Sequence, residues 1–301
     1  MKFHLLPFLF LYLGAGAQQV ADTTFKPPIS KPEYAFNHGP TIYIDEGHNN
    51  FHTKKGRYSP FANLLQRDGY RVDPYIGKFE IDKLNKGKIL VIANALNEIN
   101  ASNWYLPTPS AFTKEEIEIV KLWVSNGGNL FLIADHMPMA GAATDLAYAF
   151  GFEFTNGFAV DTSNRGNDFF TLQSGSLVES QITNGRNENE KVKSIVSFTG
   201  QAFQPPADAK PVLVFGEKYL NLLPDTAWII NNNTLIRSAR GLCQGAYKDF
   251  GKGRIVVFGE AAMFSAQLAG PNRRKTGMNA EFAKENYKLL LNIIHWLDHR
   301  F

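Results

Sequence analysis

The chain holds one cysteine, Cys243, in 301 residues, so no intramolecular disulfide can form and stability has to come from a packed core. Cys243 follows Gly241 and Leu242 with no histidine close by in sequence, which marks it as a buried or incidental thiol rather than a nucleophile. There is no G-x-S-x-G elbow, no G-x-G-x-x-G after a strand and no phosphate-loop pattern. Those absences speak against an esterase of the usual kind, a dinucleotide oxidoreductase and a nucleoside triphosphatase. Charge of one sign is scarce as well: the formal net charge is +3, with lysines and arginines scattered rather than gathered into a stripe among aromatics. Nucleic acid is therefore not an expected partner. Internal repeats, heptads and low-complexity linkers are absent, which favours one domain.

What is present begins with Met1 to Gln19, where Lys2 precedes an apolar stretch from Leu5 to Leu13 and the small residues Gly14 to Ala17. This is the pattern of a signal peptide cleaved after Ala17, and its apolar stretch is too short to span a bilayer. No cysteine stands there to carry a lipid. The expectation is a periplasmic or secreted protein without a stable membrane anchor after cleavage.

Beyond it, 18–40 carries Pro27, Pro28, Pro32 and Pro40 and reads as an extension wrapped around a domain spanning 41–301. The run NLFLIADHMP, Asn129 to Pro138, is apolar without alternation from Leu130 to Ala134, as a strand covered on both faces requires. Before it, KILVIANA from Lys88 reads as another strand. Thr113 and Glu116 are spaced as a capping box for the helix between the two, so Lys88 to His136 reads as a βαβ unit. Thr41–Ile44 and Arg254–Phe258 are further buried strands, and Asn279 to Phe301 closes the chain as an amphipathic helix. A polar insertion is expected at about 152–192. The fold expected from this pattern is an α/β, flavodoxin-like three-layer sandwich with a mainly parallel sheet.

Three strand ends carry chemistry-bearing side chains, and in an open parallel sheet such ends share the edge where ligands bind. The first is DEGHNNFH, with Asp45, Glu46, His48, Asn49, Asn50 and His52; the second is Asp135 and His136; the third is Glu260, after Gly259. Two chemistries fit these types. In one, a carboxylate among Asp45, Glu46 and Asp135 orients His48 or His136, and the imidazole takes a proton from water or a substrate hydroxyl. In the other, His48, Asp135 and His136 hold a divalent metal such as zinc with one position left open for water. A helical zinc-protease motif does not fit, because Gly47 and two asparagines follow a strand directly. The plain structural reading of DEGHNNFH is a hydrogen-bonded loop, and of Asp135 with His136 a helix-capping pair. Glu260 is expected as a second acid–base group or substrate ligand. Arg57, Trp104 and Gln267 join Asp45, Asn49, Asn50 and His52 as expected substrate contacts, with Trp104 offering a stacking surface.

The stretches DEGHNNFH, SPFANLLQRDGY from Ser59, FTKEEIEIVKLWVSNGGNLFLIADH from Phe112, GRIVVFGEAAMF from Gly253 and NIIHWL from Asn292 together cover most of the chain. Through them the chain resembles the class I glutamine amidotransferase-like superfamily, and within it the DUF4350-like and ThuA-like groups. The resemblance implies that superfamily's fold and a pocket at the end of the central strand. Members that hydrolyse glutamine carry a cysteine after this strand, where Ala134, Asp135 and His136 stand here. The function expected is a hydrolase of a small-molecule or glycan-derived substrate; the alternative is a non-catalytic carbohydrate- or peptide-binding module.

Overall fold

The computed structural model describes residues 19–163 and 166–301. The expected signal peptide, 1–17, lies outside the described residues. Nine strands form the main sheet: β1 (Thr41–Asp45), β2 (Arg71–Tyr75), β3 (Ile89–Ala93), β4 (Asn129–Ile133), β5 (Glu153–Phe154), β6 (Phe203–Gln204), β7 (Lys210–Val214), β8 (Cys243–Phe250) and β9 (Gly253–Phe258). Their order is β2-β1-β3-β4-β9-β8-β6-β5, with β7 also paired to β8.

The run β2-β1-β3-β4-β9 is parallel throughout. Alternate residues of these strands feed two cores, as the pleat demands. Ile89, Val91, Phe131, Ile133 and Val256 pack with helices α1 (Ser59–Arg67) and α4 (Asn286–Leu297). Leu90, Ile92, Leu130, Leu132 and Val257 pack with α2 (Lys114–Ser125) and α3 (Met139–Tyr148). The β3–α2–β4 unit is the crossover its sequence pattern predicts, and Thr113 with Glu116 does form the capping box of α2. Pro74 lies in β2, an edge strand, where a missing N–H is tolerated.

The expected flavodoxin-like, mainly parallel sandwich of the glutamine amidotransferase kind is not what the chain forms. From β8 onward the main sheet is antiparallel. Three further sheets are wholly antiparallel, built from Val20–Ala21 with Ala266–Ala269 and Arg274–Gly277, from Phe158–Asp161 with Tyr219–Leu223 and Leu235–Ser238, and from Asp168–Thr171 with Ser194–Ser197. The physical reason is that half of the chain lacks crossover helices of useful length. Between α3 and α4 the only described α-helix is the four-residue Gln181–Asn184, so successive strands there can pair only as antiparallel neighbours. The segment expected as a polar insertion supplies strands to three of the four sheets.

Candidate functional site

Because β1, β3, β4 and β9 are parallel, their carboxyl ends deliver Asp45, Asn94, Asp135 with His136, and Glu260 to one edge. The structure then divides these residues between two jobs.

The DEGHNNFH loop is tied down by its own polar groups. Asp45 is fully buried and accepts from the Gly47 N–H and from Asn50 Nδ2. His48 Nδ1 lies 2.9 Å from both Asp45 oxygens, and His48 Nε2 lies 3.0 Å from Glu116 Oε1, so both ring nitrogens are engaged. The ring is boxed by Phe79 and Phe112, at 4.6 and 4.8 Å between centroids. Burial opposes the charge on this imidazole, yet the Asp45 and Glu116 carboxylates outweigh it and hold the His48 pKa above its ordinary value. Burial likewise pushes the Glu116 carboxyl up, but the bonds from His48, Thr113 and Phe79 bring its pKa below the ordinary value. The three groups form an ion clamp that fastens the loop to the start of α2.

The remaining loop residues are spent in similar ways. Glu46 accepts from the Lys54 N–H at 2.7 Å, Asn50 Oδ1 accepts from the His48 N–H, and Asn49 is exposed in a left-handed conformation with φ 47°. His52 is sealed: its Nδ1 meets Asn94 Nδ2 at 3.2 Å, its Nε2 is buried without a partner, and burial pushes its pKa down to about 3. Asp45, Asn50, His48 and His52 are thus each engaged by hydrogen bonds within the fold. Gln267, also expected at the substrate, is buried and donates to Ser265 Oγ at 2.7 Å. Among the described residues no three His, Cys, Asp or Glu side chains gather into a set able to hold a metal, so the expected ligands His48, Asp135 and His136 do not converge.

Asp135 and His136 stand differently. The Asp135 N–H donates to Asn94 Oδ1, and Asp135 Oδ1 accepts from the His136 N–H at 2.9 Å. Asn94 adopts φ 49°, tolerable for asparagine, and bridges His52 to the β4 end. His136 Nδ1 lies 2.7 Å from the Met137 carbonyl, which requires the proton to sit on Nδ1. Nε2 is then a lone pair with no hydrogen-bond partner among the described residues; Asp135 Oδ1 is 4.0 Å away. His136 is buried, with 7% of its surface exposed. The ring stacks on Phe158 at 4.3 Å, meets Trp228 edge-on at 4.6 Å and lies 6.2 Å from Trp104. Trp104 in turn touches Phe51, over which Arg57 sits at 3.8 Å.

Beside Asp135 lies Glu260, fully buried, whose oxygens accept from the N–H groups of Ala262 at 2.6 Å and Met263 at 2.8 Å. Close backbone approach fixes it there: a Cβ on Gly200 would run into Gly259 O and Glu260 Cβ. Burial pushes the Glu260 carboxyl up, and Asp135 beside it pushes in the same direction. Asp135 is raised by burial too, partly offset by His136, Asn94 and the Ala261 N–H. Both buried carboxyls thus have raised pKa values, Glu260 in part through the charge of Asp135. Gln201 completes this wall, with Nε2 donating to Ala134 O and Oε1 sealed without a partner.

Asn94, Phe158, Gln201 and Trp228 escaped sequence reasoning. Asn94 had a usable signal, since it directly follows a buried strand just as Asp135 nearly does. The others come from the antiparallel half, where no pattern marks them. A separate groove of about 770 Å3, lined by Phe25, Pro27, Pro28, Met278, Phe282 and Tyr287 among others, shares no residue with this edge.

The molecule is thus a mixed α/β protein with a buried histidine–carboxyl cluster at the carboxyl edge of its parallel strands. No protein-family model matches the chain, and no curated protein matches it. Among solved structures it is similar to the mmIFT52 N-terminal domain, at 15% identity and TM-score 0.58, covering 86% of this chain and 97% of that one. It is also similar to Cytoplasmic Protein STM3548 from Salmonella typhimurium, at 15% identity and TM-score 0.51 over 86% and 98% of the two chains. A third, Cytoplasmic Protein STM1381 from Salmonella typhimurium LT2, matches at 14% identity and TM-score 0.50 over 85% and 98%. At such identities the likeness is one of fold alone.

Proposed function

We propose that the protein is a hydrolase whose acid–base group is His136, acting on a small-molecule or glycan-derived substrate held beside Trp104. The observation that carries this reading is the state of one atom. His136 Nδ1 is committed to the Met137 carbonyl, leaving Nε2 without a hydrogen-bond partner among the described residues and Asp135 Oδ1 4.0 Å away. A neutral imidazole in that tautomer is suited to take a proton from water. The imidazolium so formed faces Asp135 and stacks on Phe158, and both favour its charge. Asp135 orients the histidine through the His136 N–H, while burial and Asp135 raise the pKa of Glu260. Catalysis through His48 finds no support, since neither of its nitrogens is available.

The test is hydrolysis of a panel of nitrophenyl glycosides and acyl esters by the protein and by His136→Gln. General-base catalysis contributes about 10²- to 10⁴-fold, so His136→Gln should lose that much in kcat while its urea midpoint holds. Equal turnover by both proteins would sink the assignment. A non-catalytic binding module is the competing reading, favoured by the aromatic surroundings of His136. Saturable ligand binding with no turnover of any panel member would establish it instead.

A further inference from the structure

Trp228 leaves half of its surface, 51%, in water although its inner edge meets His136 and Phe158. It does so at φ 67°, a conformation that bulky residues rarely adopt. The backbone around it is not loose. Ala227 N–H donates to Trp104 O at 2.8 Å, Leu106 N–H donates to Asp225 O at 2.9 Å, and Tyr105 forms an antiparallel bridge with Thr226. Those three links lay the segments 104–106 and 225–228 side by side. Tyr105 (51%) and Leu106 (45%) are exposed on them and Ile229 (45%) just beyond, so an exposed apolar face adjoins Trp228 and, through it, His136.

The chemistry of this ledge narrows what it can recognise. Across 99–108 and 224–238 the only charged residues are Asp225 and Arg237, whereas Asn103, Asn231, Asn232 and Asn233 supply exposed amides. A phosphate, nucleotide or acidic peptide would need a cluster of cationic side chains, and these segments carry Arg237 alone. Flat aromatic faces flanked by neutral hydrogen-bonding groups suit a neutral ligand with one apolar face and a rim of hydroxyls, which is the surface of a pyranose ring.

We infer that Trp228 and Tyr105 are stacking platforms for successive rings of a neutral oligosaccharide, which they align so that one linkage lies at His136 Nε2. This rests on the His136 reading for the reacting end and adds the substrate class and its specificity-determining residues. Trp228 sets the ring nearest the imidazole because it touches that imidazole at 4.6 Å. Tyr105 extends the platform outward.

The experiment is calorimetric titration of the full chain with cello-, xylo-, manno- and chito-oligosaccharides of two to six rings, with product analysis of the same mixtures. The expected result is saturable binding of one series, tighter for longer members. Trp228→Ala, and separately Tyr105→Ala, should weaken it about tenfold or more with an unchanged urea midpoint. His136→Gln should keep binding and lose cleavage. Binding dependent on Trp228 without cleavage by the unaltered protein would uphold the platform and overturn the hydrolase reading. Cleavage dependent on His136 with affinity indifferent to Trp228 and Tyr105 would overturn the platform alone. No binding of any series would overturn it as well and turn attention to a protein partner on the same face.

Discussion

Replacing His48 by alanine removes the centre of the Asp45–His48–Glu116 clamp and should destabilise the protein more than any surface ion pair would. Asp45 is fully buried and Glu116 nearly so, and each would lose its imidazole partner. Breaking a buried pair in this way costs about 3–5 kcal/mol. Here the lower end applies, because Asp45 keeps Gly47 N–H and Asn50, and Glu116 keeps the N–H groups of Thr113 and Phe79. About 3 kcal/mol is therefore expected, with a further small loss from the contacts of the ring with Phe79 and Phe112. The pH dependence has a definite sign. The raised pKa of His48 means that its contribution is complete below the ordinary value of 6.5 and is lost as pH climbs through the folded value. The lowered pKa of Glu116 means that its contribution is complete above 4.5 and is lost as pH falls through its folded value. Urea unfolding measured from acid to alkaline pH should show the unaltered protein losing stability on both flanks, and His48→Ala losing the alkaline slope. A cost under about 1 kcal/mol, the range of exposed pairs, would refute the clamp.

Asn94→Gly keeps the positive φ but removes the amide that serves the Asp135 N–H and His52, and should cost about 1–3 kcal/mol by urea unfolding; a neutral result would mean that water replaces the amide without loss. Cys243 is buried and its thiol is pushed up to about 12 by that burial, so it should resist a disulfide reagent at pH 8 until urea unfolds the chain. Rapid labelling of the native protein would contradict its place in β8.

The parallel half was legible because each strand there is an unbroken apolar run followed at once by a side chain with chemistry, as in Phe131–Ile133 before Asp135 and Val256–Phe258 before Glu260. The antiparallel half was not. Glu153–Phe154 and Phe203–Gln204 are two-residue strands, too short to show a period of two, and their partners are settled by tertiary packing. That is why a mainly parallel sandwich was expected and a mixed one was found. At the site, Glu116 was readable only as the N3 residue of a capping box, and its second bond, to His48, joins positions 68 residues apart. Without that partner, His48 and His136 look equally free in sequence. In the structure one is clamped on both nitrogens and the other on one. Trp228 carried no local signal either, since its meaning lies in the backbone links to 104–106.

The tautomer of His136 tests the account most directly. Long-range proton–nitrogen correlation spectra of the protein labelled at histidine nitrogens, with His136→Gln used to assign the ring, should place the proton on Nδ1 of the neutral form and show Nε2 as a bare, lone-pair nitrogen. A proton on Nε2 would mean that the bond to the Met137 carbonyl is not made, and that no base faces the pocket.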